Sequence, residues 1–554
     1  MYRTILVAVG TLALSVATEA QPAPPSLEFP TLFPAAQLTP LYPDQKTFCD
    51  LVPKAPPFAI NTLYALARRQ PGFSLAGFVD LAFTSGPPGP TIPLASAGQP
   101  IRSYIDGLWT TLTQTAPAGS PYASLLPLPQ PYVVPGGRFN ELYYWDTFFD
   151  LVGLEQSGRS DLSDAIIDDF AYEIRTFGHI PNGNRSYYLS RSQPPFFATM
   201  LALVARRRGA GVFRQYLPEL LTEYAYWMRG ADGLAPGAAA HNVVRLWDGT
   251  VLNRYWDERD APRDESYADD VATATGSGRV ATTVYRDLRA AAESGWDFSS
   301  RWLTDGKTLS TIRTTEIVPP DLNSLLYGLE AALAVGEQQA GNQAASARYA
   351  AAAAVRKAAI QRLMWDDSSG AFVDILRSTG KSTGVYSAAT VYPLVFGIAT
   401  QAQAHKVAVS LRQRLLQVGG VATTTIASGQ QWDFPNGWAP VQWLATEGFR
   451  NYGENDLAYT IAARWTANVS AGFGSLGKLV EKYDVTRTDG GAGAGGEYAT
   501  QIGFGWTNGV QLGLYADYPG LKAGAGSSAS ARSTAPQASA IQPVSLTAPL
   551  NRNR

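Results

Sequence analysis

Apolar positions recur along most of the chain at the spacing of an α-helix. The clearest stripe has an apolar residue at every fourth position and consists of Leu162, Ile166, Phe170 and Ile174. Such residues share one face of a helix, which can then pack on a core. Ser160 is a suitable N-cap in front of the stripe, and Gly178 is a suitable stop behind it. The pattern therefore predicts a helix that begins at Ser160 and ends before Gly178.

The same periodicity predicts further helices over residues 212–229, 322–334, 344–365, 404–418 and 441–452. Alternation of apolar and polar residues, which is typical of half-buried strands, is scarce. No repeat of about 20 to 50 residues is visible, which argues against a solenoid. We therefore expect an all-α toroid in which paired helices form an inner and an outer ring. Long loops at one end of such a toroid would build the functional site.

Both ends of the chain differ from this helical middle. Arg3, the apolar residues 5–16 and the small residues up to Ala20 predict a secretory signal peptide over residues 1–20. A buried helix is the alternative. The apolar stretch is shorter than the roughly 20 residues needed to cross a bilayer, so it does not predict a membrane span. Residues 521–554 are rich in Ala, Ser, Gly and Pro and predict a disordered tail. A single domain over residues 21–520 remains, in a periplasmic or secreted protein without membrane contact after cleavage.

Composition restricts the partner to a neutral molecule. The chain has 554 residues, of which 45% are hydrophobic, so it can bury a large core. Its 44 basic residues balance 46 acidic ones, and no run of like charge predicts binding to nucleic acid. Cys49 is the only cysteine, which excludes an intramolecular disulfide. The three histidines lack metal-ligand spacing, so we expect no metal. We also expect no cofactor and a monomer.

Tryptophan is directly followed by aspartate at six places, where composition alone predicts roughly one. The pairs are Trp145-Asp146, Trp247-Asp248, Trp256-Asp257, Trp296-Asp297, Trp365-Asp366 and Trp432-Asp433. An indole stacks on the C–H face of a pyranose, and a carboxylate accepts hydrogen bonds from its hydroxyls. The pairing therefore indicates a carbohydrate ligand. A β-propeller also uses this dipeptide, but its repeat of about 40 to 45 residues is absent.

Two long segments, residues 135–146 (PGGRFNELYYWD) and residues 431–440 (QWDFPNGWAP), resemble the signature motifs of the trehalase family. The resemblance extends from about Pro43 to Tyr515. It includes HIPNGNR at 179–185, SRSQPP at 190–195, ESGWD at 293–297 and the stretch 481–497. Motifs of this length and order are specific.

The resemblance implies an (α/α)6 toroid that hydrolyses α,α-trehalose in one displacement, with inversion at one anomeric carbon. By motif match, Asp297 corresponds to the general acid and Glu481 to the general base. The residues that the resemblance places around the two glucose units are Arg138, Phe139, Trp145, Asp146, Asn182, Arg191, Gln193, Arg263, Glu265, Trp432 and Glu497.

Elementary chemistry agrees with two carboxyls in these roles. One must protonate the bridging oxygen while the other takes a proton from water on the opposite face. Trp296 would desolvate Asp297 and hold its proton, whereas a nearby arginine would keep a base ionised. The glycine-rich residues 489–497 lack the lysine and hydroxyl of a phosphate-binding loop. They predict a lid that brings Glu497 inward, with a plain flexible linker as the alternative.

Three positions depart from the family pattern. Ala492 and Ala494 interrupt the glycine-rich run, and Asp264 stands where proline is familiar.

One alternative function is another hydrolase or a phosphorylase on the same toroid that acts on a different α-glucoside. The other is a non-catalytic periplasmic binder of trehalose or an oligosaccharide. The presence of both Asp297 and Glu481 argues against a binder, which needs neither an acid nor a base.

Overall fold

The computed structural model describes residues 22–115 and 121–523. The predicted signal peptide over residues 1–20 lies outside the described residues, and so does the predicted tail beyond residue 523. The principal α-helices are Pro57–Ala67, Ile101–Leu112, Tyr144–Gln156, Ser160–Phe177, Phe197–Arg208, Leu217–Trp227, Tyr267–Ser277, Ala281–Glu293, Pro320–Gln339, Gln343–Ala359, Gln401–Arg414, Ala439–Asn451, Asn455–Leu476 and Gly505–Asp517. Shorter ones are Pro25–Glu28, Leu32–Gln37, Lys46–Cys49, Leu75–Ala82, Val212–Gln215 and Tyr392–Val395.

Strands are short, as the scarcity of alternating patterns predicts. They are Val52–Pro53, Phe83–Thr84, Thr113–Gln114, Tyr132–Val133, Ala239–Ala240, Val243–Arg245, Val251–Asn253, Ile317–Val318, Trp365–Asp366, Ala371–Phe372, Ile375–Leu376, Leu416–Gln417, Gly420–Val421, Asn436–Trp438 and Lys482–Asp484. All described pairs are antiparallel. In one of them Asn436 lies opposite Asp484 and Trp438 opposite Lys482, which joins two motifs distant in sequence.

The principal helices pack in sequence order and close a ring. Pro320–Gln339 packs on Gln343–Ala359, Ala439–Asn451 packs on Asn455–Leu476, and the last helix, Gly505–Asp517, returns to Tyr144–Gln156. Four helices are buried on nearly all faces, as expected for an inner ring: Tyr144–Gln156, Pro320–Gln339, Ala439–Asn451 and Gly505–Asp517. The predicted all-α fold, an (α/α)6 toroid, is confirmed.

Close backbone approach seals the ring where its first and last inner helices meet. A Cβ on Gly153 would come within 2.5 Å of the Gly509 Cα. Only glycine at both positions lets the two helix backbones pack this tightly.

Several predicted helix bounds are wrong in physically clear ways. The helix predicted over 212–229 is two helices, Val212–Gln215 and Leu217–Trp227, because Pro218 cannot donate to the preceding turn and instead begins the second one. Ser160 is the first helical residue rather than the cap, a place that Arg159 occupies without a side-chain hydrogen bond. The predicted end is confirmed, since Gly178 adopts a left-handed φ of 81°.

Two other helices end earlier than their apolar spacing predicts. The helix over 344–365 ends at Ala359, where a wide turn begins, and the strand Trp365–Asp366 follows. The helix over 404–418 ends at Arg414, before the strand Leu416–Gln417. In both cases the last residues join a hairpin, so strand pairing replaces helical hydrogen bonds. The helices over 322–334 and 441–452 are confirmed within longer or slightly shifted bounds.

The N-terminal residues form a second apolar cluster against the toroid. It contains Phe29, Phe33, Phe48, Tyr64, Phe78 and Phe83, and it includes Tyr143, Tyr187 and Tyr188 from the ring. Buried ion pairs reinforce the contact, because Glu141 accepts from Lys46 at 2.7 Å and from Arg185 at 2.6 Å.

Among the residues that the structure describes, no helix has the length and apolar character needed to span a membrane.

Candidate active site

A cavity of about 520 Å³ brings the predicted site residues together. Its volume lies within the range of about 300 to 1,000 Å³ that is usual for small-molecule sites. Each of the predicted residues lines it: Arg138, Phe139, Trp145, Asp146, Asn182, Arg191, Gln193, Arg263, Glu265, Asp297, Trp432, Glu481 and Glu497. Segments from distant parts of the sequence therefore meet in one concave site.

Asp297 lies just beyond the inner end of the helix Ala281–Glu293. Gly295 turns the chain there with a φ of 71°, and a Cβ on it would come within 2.7 Å of the Trp145 indole. Burial by the surrounding protein raises the pKa of Asp297 to about 7; the negative charge of Glu497 adds to this effect, while Arg263 opposes it. Asp297 can therefore hold a proton near neutral pH and release it to a substrate.

Glu481 has a different environment, in which donors surround the carboxylate. Tyr498 donates to Oε1 at 2.9 Å, and the Lys482 ammonium donates to Oε2 at 3.0 Å. The Gln501 N–H also approaches Oε2 at 3.4 Å, and the Glu481 N–H donates to the Gln501 carbonyl at 2.9 Å. The side chain is 1% exposed. These contacts hold the carboxylate in one orientation at the cavity wall.

Asp146 places another carboxyl in the cavity, from the first turn of the helix Tyr144–Gln156. Burial raises its pKa well above the usual value, and the charges of Glu481 and Asp297 raise it further. A protonated Asp146 can both donate to and accept from a sugar hydroxyl. Beside it, the Trp145 ring lies 5.6 Å from Trp432 and offers an apolar surface for a pyranose.

Buried arginines form a second group of polar residues at the cavity. Arg191 donates to Asn182 at 2.7 Å and to Glu265 at 2.8 Å. Arg263 pairs with Asp270 at 2.6 Å and with Glu497 at 2.7 Å. Both guanidinium groups are 1% exposed, so their carboxylate partners compensate the cost of burial and fix the forks in place.

Arg138 lies on another side of the cavity. Its guanidinium is 3.5 Å from Asp44, and it stacks over Phe139 at 5.7 Å and Tyr498 at 5.2 Å. Asp44 belongs to the N-terminal residues 36–46, all but one of which line the cavity. These N-terminal residues therefore form part of the site.

The glycine-rich loop reaches the cavity at its end, where Glu497 lines the wall. Glu497 at its end accepts from Arg263 and, at 3.1 Å, from the Ser266 hydroxyl. Ala494 exchanges two hydrogen bonds with the Asn436 amide, at 3.1 and 2.6 Å, and Ala492 pairs with Tyr483. The two unexpected alanines therefore lie in the half of the loop that is attached to the short sheet.

The unexpected Asp264 also has a structural role. It is buried, and it accepts from the Ser26 N–H at 2.8 Å and from the Ser26 hydroxyl at 2.9 Å. Asp264 thus fastens the N-terminal residues directly beside Arg263 and Glu265.

Only some of the Trp-Asp pairs belong to the site. Trp145-Asp146 contributes both residues, whereas Trp432 lines the cavity and Asp433 instead accepts from Ser299 and Ser300 in the protein interior. Trp247 is 70% exposed on the surface. The carbohydrate interpretation of the dipeptide therefore fits few of its occurrences.

Sequence reasoning missed several residues of the site. Tyr498 and Lys482 contact Glu481, and each directly follows a predicted residue in a family motif. Gln431 donates to the Asp297 carbonyl at 2.6 Å and begins the second motif. Motif membership could have pointed to these three. Residues 36–46 gave no such signal, because most of them precede the region of resemblance.

Comparison with known proteins gives the same family. The model of the trehalase family matches residues 41–518. Periplasmic trehalase of Citrobacter koseri is 50% identical over 505 residues, which are 90% of this chain and 88% of the relative. Periplasmic trehalase of Salmonella agona is 50% identical over 492 residues, 89% of this chain and 86% of the relative.

Solved structures agree with the fold. Neutral trehalase from Saccharomyces cerevisiae is 29% identical, with a TM-score of 0.59 over 76% of this chain and 81% of that one. Mannosylglycerate hydrolase from Thermus thermophilus, 17% identical, shares the fold with a TM-score of 0.50 over 75% of this chain and 99% of its own. The motifs, the toroid, the residues around its cavity and the match over most of the sequence lead to one conclusion: the chain belongs to the trehalase family.

Proposed function

We propose that this protein hydrolyses α,α-trehalose to two glucose molecules, with Asp297 as the general acid and Glu481 as the general base. The observation that carries the proposal is the contrast between these two carboxyls in one cavity. Burial raises the pKa of Asp297 to about 7, whereas Tyr498 and Lys482 donate hydrogen bonds to Glu481. An inverting glycosidase requires this division between a proton donor and a proton acceptor.

The reaction is a single displacement. Asp297 gives its proton to the bridging oxygen while the bond from that oxygen to the anomeric carbon breaks, and the electron pair stays on the oxygen. Water forms the new bond from the opposite face, and Glu481 takes a proton from it. One product is therefore β-glucose, and the other keeps the α configuration.

The remaining residues bind and orient the two sugars. The Arg191 and Arg263 forks, held by Glu265 and Glu497, present fixed N–H groups to sugar hydroxyls. Trp145 and Trp432 supply apolar surface for a pyranose face. The loop that carries Glu497 acts as a lid, because its contacts with Arg263 shield the cavity from bulk water.

The site of action is the periplasm, as in the periplasmic trehalases to which the chain is similar. We further propose that residues 1–20 are a signal peptide and that residues 21–520 form the catalytic domain. The purified enzyme is expected to be a monomer without a cofactor.

Product analysis tests the function. Purified protein is incubated with trehalose or maltose, with and without phosphate, and the proton NMR spectrum is followed for the first minutes. Equal amounts of α- and β-glucose from trehalose, independent of phosphate, are expected. Glucose 1-phosphate would identify a phosphorylase, two α products would identify a retaining hydrolase, and activity on maltose alone would refute trehalose as the substrate.

A further inference from the structure

Lys482 is a fully buried cation beside the proposed general base. Its ammonium donates to Glu481 Oε2 at 3.0 Å and to Gln431 Oε1 at 3.1 Å. It also lies 5.0 Å from the centre of the Trp438 ring and 5.3 Å from that of Tyr498. Burial of an ammonium is costly, so a lysine with 0% exposure at this position needs all of these partners.

Gln431 extends the contact from the base to the acid. Its Nε2 donates to the Asp297 carbonyl at 2.6 Å. The backbone carbonyl of Gln431 accepts hydrogen bonds from the Asn436 side-chain amide and from the Trp438 indole, each at 2.9 Å. Gln431 is therefore fixed at both ends, and Glu481, Lys482, Gln431 and the Asp297 backbone form one continuous chain of hydrogen bonds.

Glu481 is itself buried, and a neighbouring cation offsets the cost of burying its charge. Asp146 faces it from the helix Tyr144–Gln156, Tyr498 from the end of the lid, and Asp297 shares the same cavity. Burial disfavours the ionised form of a carboxyl, whereas an adjacent cation favours it. Lys482 is the cation that forms an ion pair with Glu481 among the described residues.

We infer that Lys482 is a positioning residue that holds Glu481 as an oriented carboxylate and, through Gln431, fixes the base relative to the acid. The inference rests on the proposed function. Its effect on the base is electrostatic, because the ammonium pairs with the buried Glu481 carboxylate. Its effect on geometry is mechanical, because a displacement of about 1 Å in a catalytic group can reduce turnover on the order of 10²-fold.

Lys482→Met tests the electrostatic part, since it keeps most of the side-chain volume and removes the charge. We expect kcat to fall on the order of 10²-fold, with a smaller change in KM. The acidic limb of the kcat/KM profile should move to higher pH, because the base loses its neighbouring cation. Lys482→Arg keeps the charge and should keep the acidic limb where the wild type has it. An unmoved limb in the Met variant would overturn the electrostatic role.

Gln431→Leu tests the connection to Asp297 and also decides the inference if the Lys482→Met variant does not fold. It leaves the ion pair between Lys482 and Glu481 in place and removes the donor to the Asp297 carbonyl. We expect kcat to fall about tenfold or more without movement of the acidic limb. Wild-type kcat in this variant would refute the positioning chain.

Arg356→Met is the matched control. Arg356 is also buried and pairs with Glu330 at 2.9 Å, but it does not line the cavity. Its loss should lower the urea midpoint of unfolding and leave the pH profile unchanged, which separates general destabilisation from a specific effect on the base. The wild type is assayed first. If it released no glucose from trehalose, the proposed function would fail. If the wild type is active and the Lys482 and Gln431 variants behave like it, only this inference is refuted.

Discussion

At the scale of single residues, the proposed proton transfer from Asp297 depends on its protein surroundings. Burial and the charge of Glu497 raise its pKa to about 7, so the acid form is populated up to neutral pH. The kcat/KM value should therefore decline as the pH rises through about 7. Asp297→Asn should reduce turnover of trehalose by roughly 10² to 10⁴, because general acid catalysis contributes on that order.

A second substrate checks that the loss in this variant concerns the proton. Fluoride needs little protonation to leave, so α-glucosyl fluoride should be hydrolysed by Asp297→Asn with a much smaller loss than trehalose. Initial rates on both substrates, measured with the same enzyme preparation, provide the comparison. Equal losses would remove Asp297 from the role of acid.

Glu481 and Glu497 both lie beside the glycine-rich loop, but their contacts predict different results on substitution. Glu481→Ala should abolish hydrolysis. Added azide should restore turnover of α-glucosyl fluoride and yield β-glucosyl azide, since a small anion replaces the activated water. Glu497→Ala should weaken binding and slow turnover through loss of its pair with Arg263, without rescue by azide. Rescue of the Glu497 variant alone would exchange the two roles.

The residues that the sequence could identify are those within long motifs. Asp297, Glu481 and the arginines were named because their neighbours match a family pattern. Lys482 and Gln431 lie in the same motifs, yet their importance depends on a contact across a strand pair, Trp438 opposite Lys482. Sequence spacing carries no signal for such a short ladder, so motif membership could mark Lys482 and Gln431 as candidates but could not show that they contact the proposed base and acid.

At the scale of elements, the lid depends on glycines with left-handed backbone angles. Gly496 has a φ of 85°, and a Cβ on it would come within 2.8 Å of the Gln431 side chain. Gly496→Ala should therefore strain the backbone and also displace Gln431, which contacts both Lys482 and Asp297. We expect a loss of about tenfold in kcat, to be measured at saturating trehalose.

Gly341→Ala is a matched control for the lid variant. Gly341 has the same φ of 85°, but a Cβ there would have no heavy atom within 4 Å. Both variants should lose about 1 kcal/mol of stability from the unfavourable φ. Only Gly496→Ala should lose activity; equal activity in the two variants would show that the lid tolerates the change.

Helix periodicity predicted the elements well in the interior of each helix and poorly at the ends. The stripe from Leu162 to Ile174 lies on a helix that ends at the predicted glycine. The predicted helix bounds were wrong where another local structure replaces the helix. Pro218 begins a new helix, and Trp365 pairs with Phe372 in a hairpin. A strand of two residues has too few positions to show a period, so no window of the sequence could reveal it.

At the scale of the whole molecule, two sets of buried carboxyls give stability opposite dependences on pH. Glu141 belongs to the first set: burial alone would raise its pKa, but Lys46 and Arg185 outweigh burial and lower it to about 2. Its stabilising contribution is fully present above its unfolded pKa of about 4.5 and is lost as the pH falls through about 2. This ion-paired group joins the N-terminal residues to the toroid, a long-range contact that the sequence did not predict.

Glu173 belongs to the second set. Neither of its carboxyl oxygens has a hydrogen-bond partner among the described residues, and burial raises its pKa well above 4.5. The folded state therefore keeps this proton at pH values where the unfolded state has lost it. The resulting stability is fully present below pH 4.5 and declines as the pH rises towards the folded pKa.

Substitution of each glutamate by glutamine separates the two sets. In Glu173→Gln, the free energy of unfolding in urea should decline less between pH 5 and pH 8 than in the wild type, by up to about 1.4 kcal/mol per pH unit, because no proton is lost on unfolding. Glu141→Gln should instead lower the free energy by about 3 kcal/mol at both pH values, because the buried Lys46 and Arg185 then have only Asp50, which is 23% exposed, as a carboxylate partner. The glutamine side chain has nearly the same shape in both cases, so a difference between the variants must come from charge. A wild-type pH slope in Glu173→Gln would mean that Glu173 does not hold a proton in the folded enzyme, and the decline would then have to come from the other buried carboxyls.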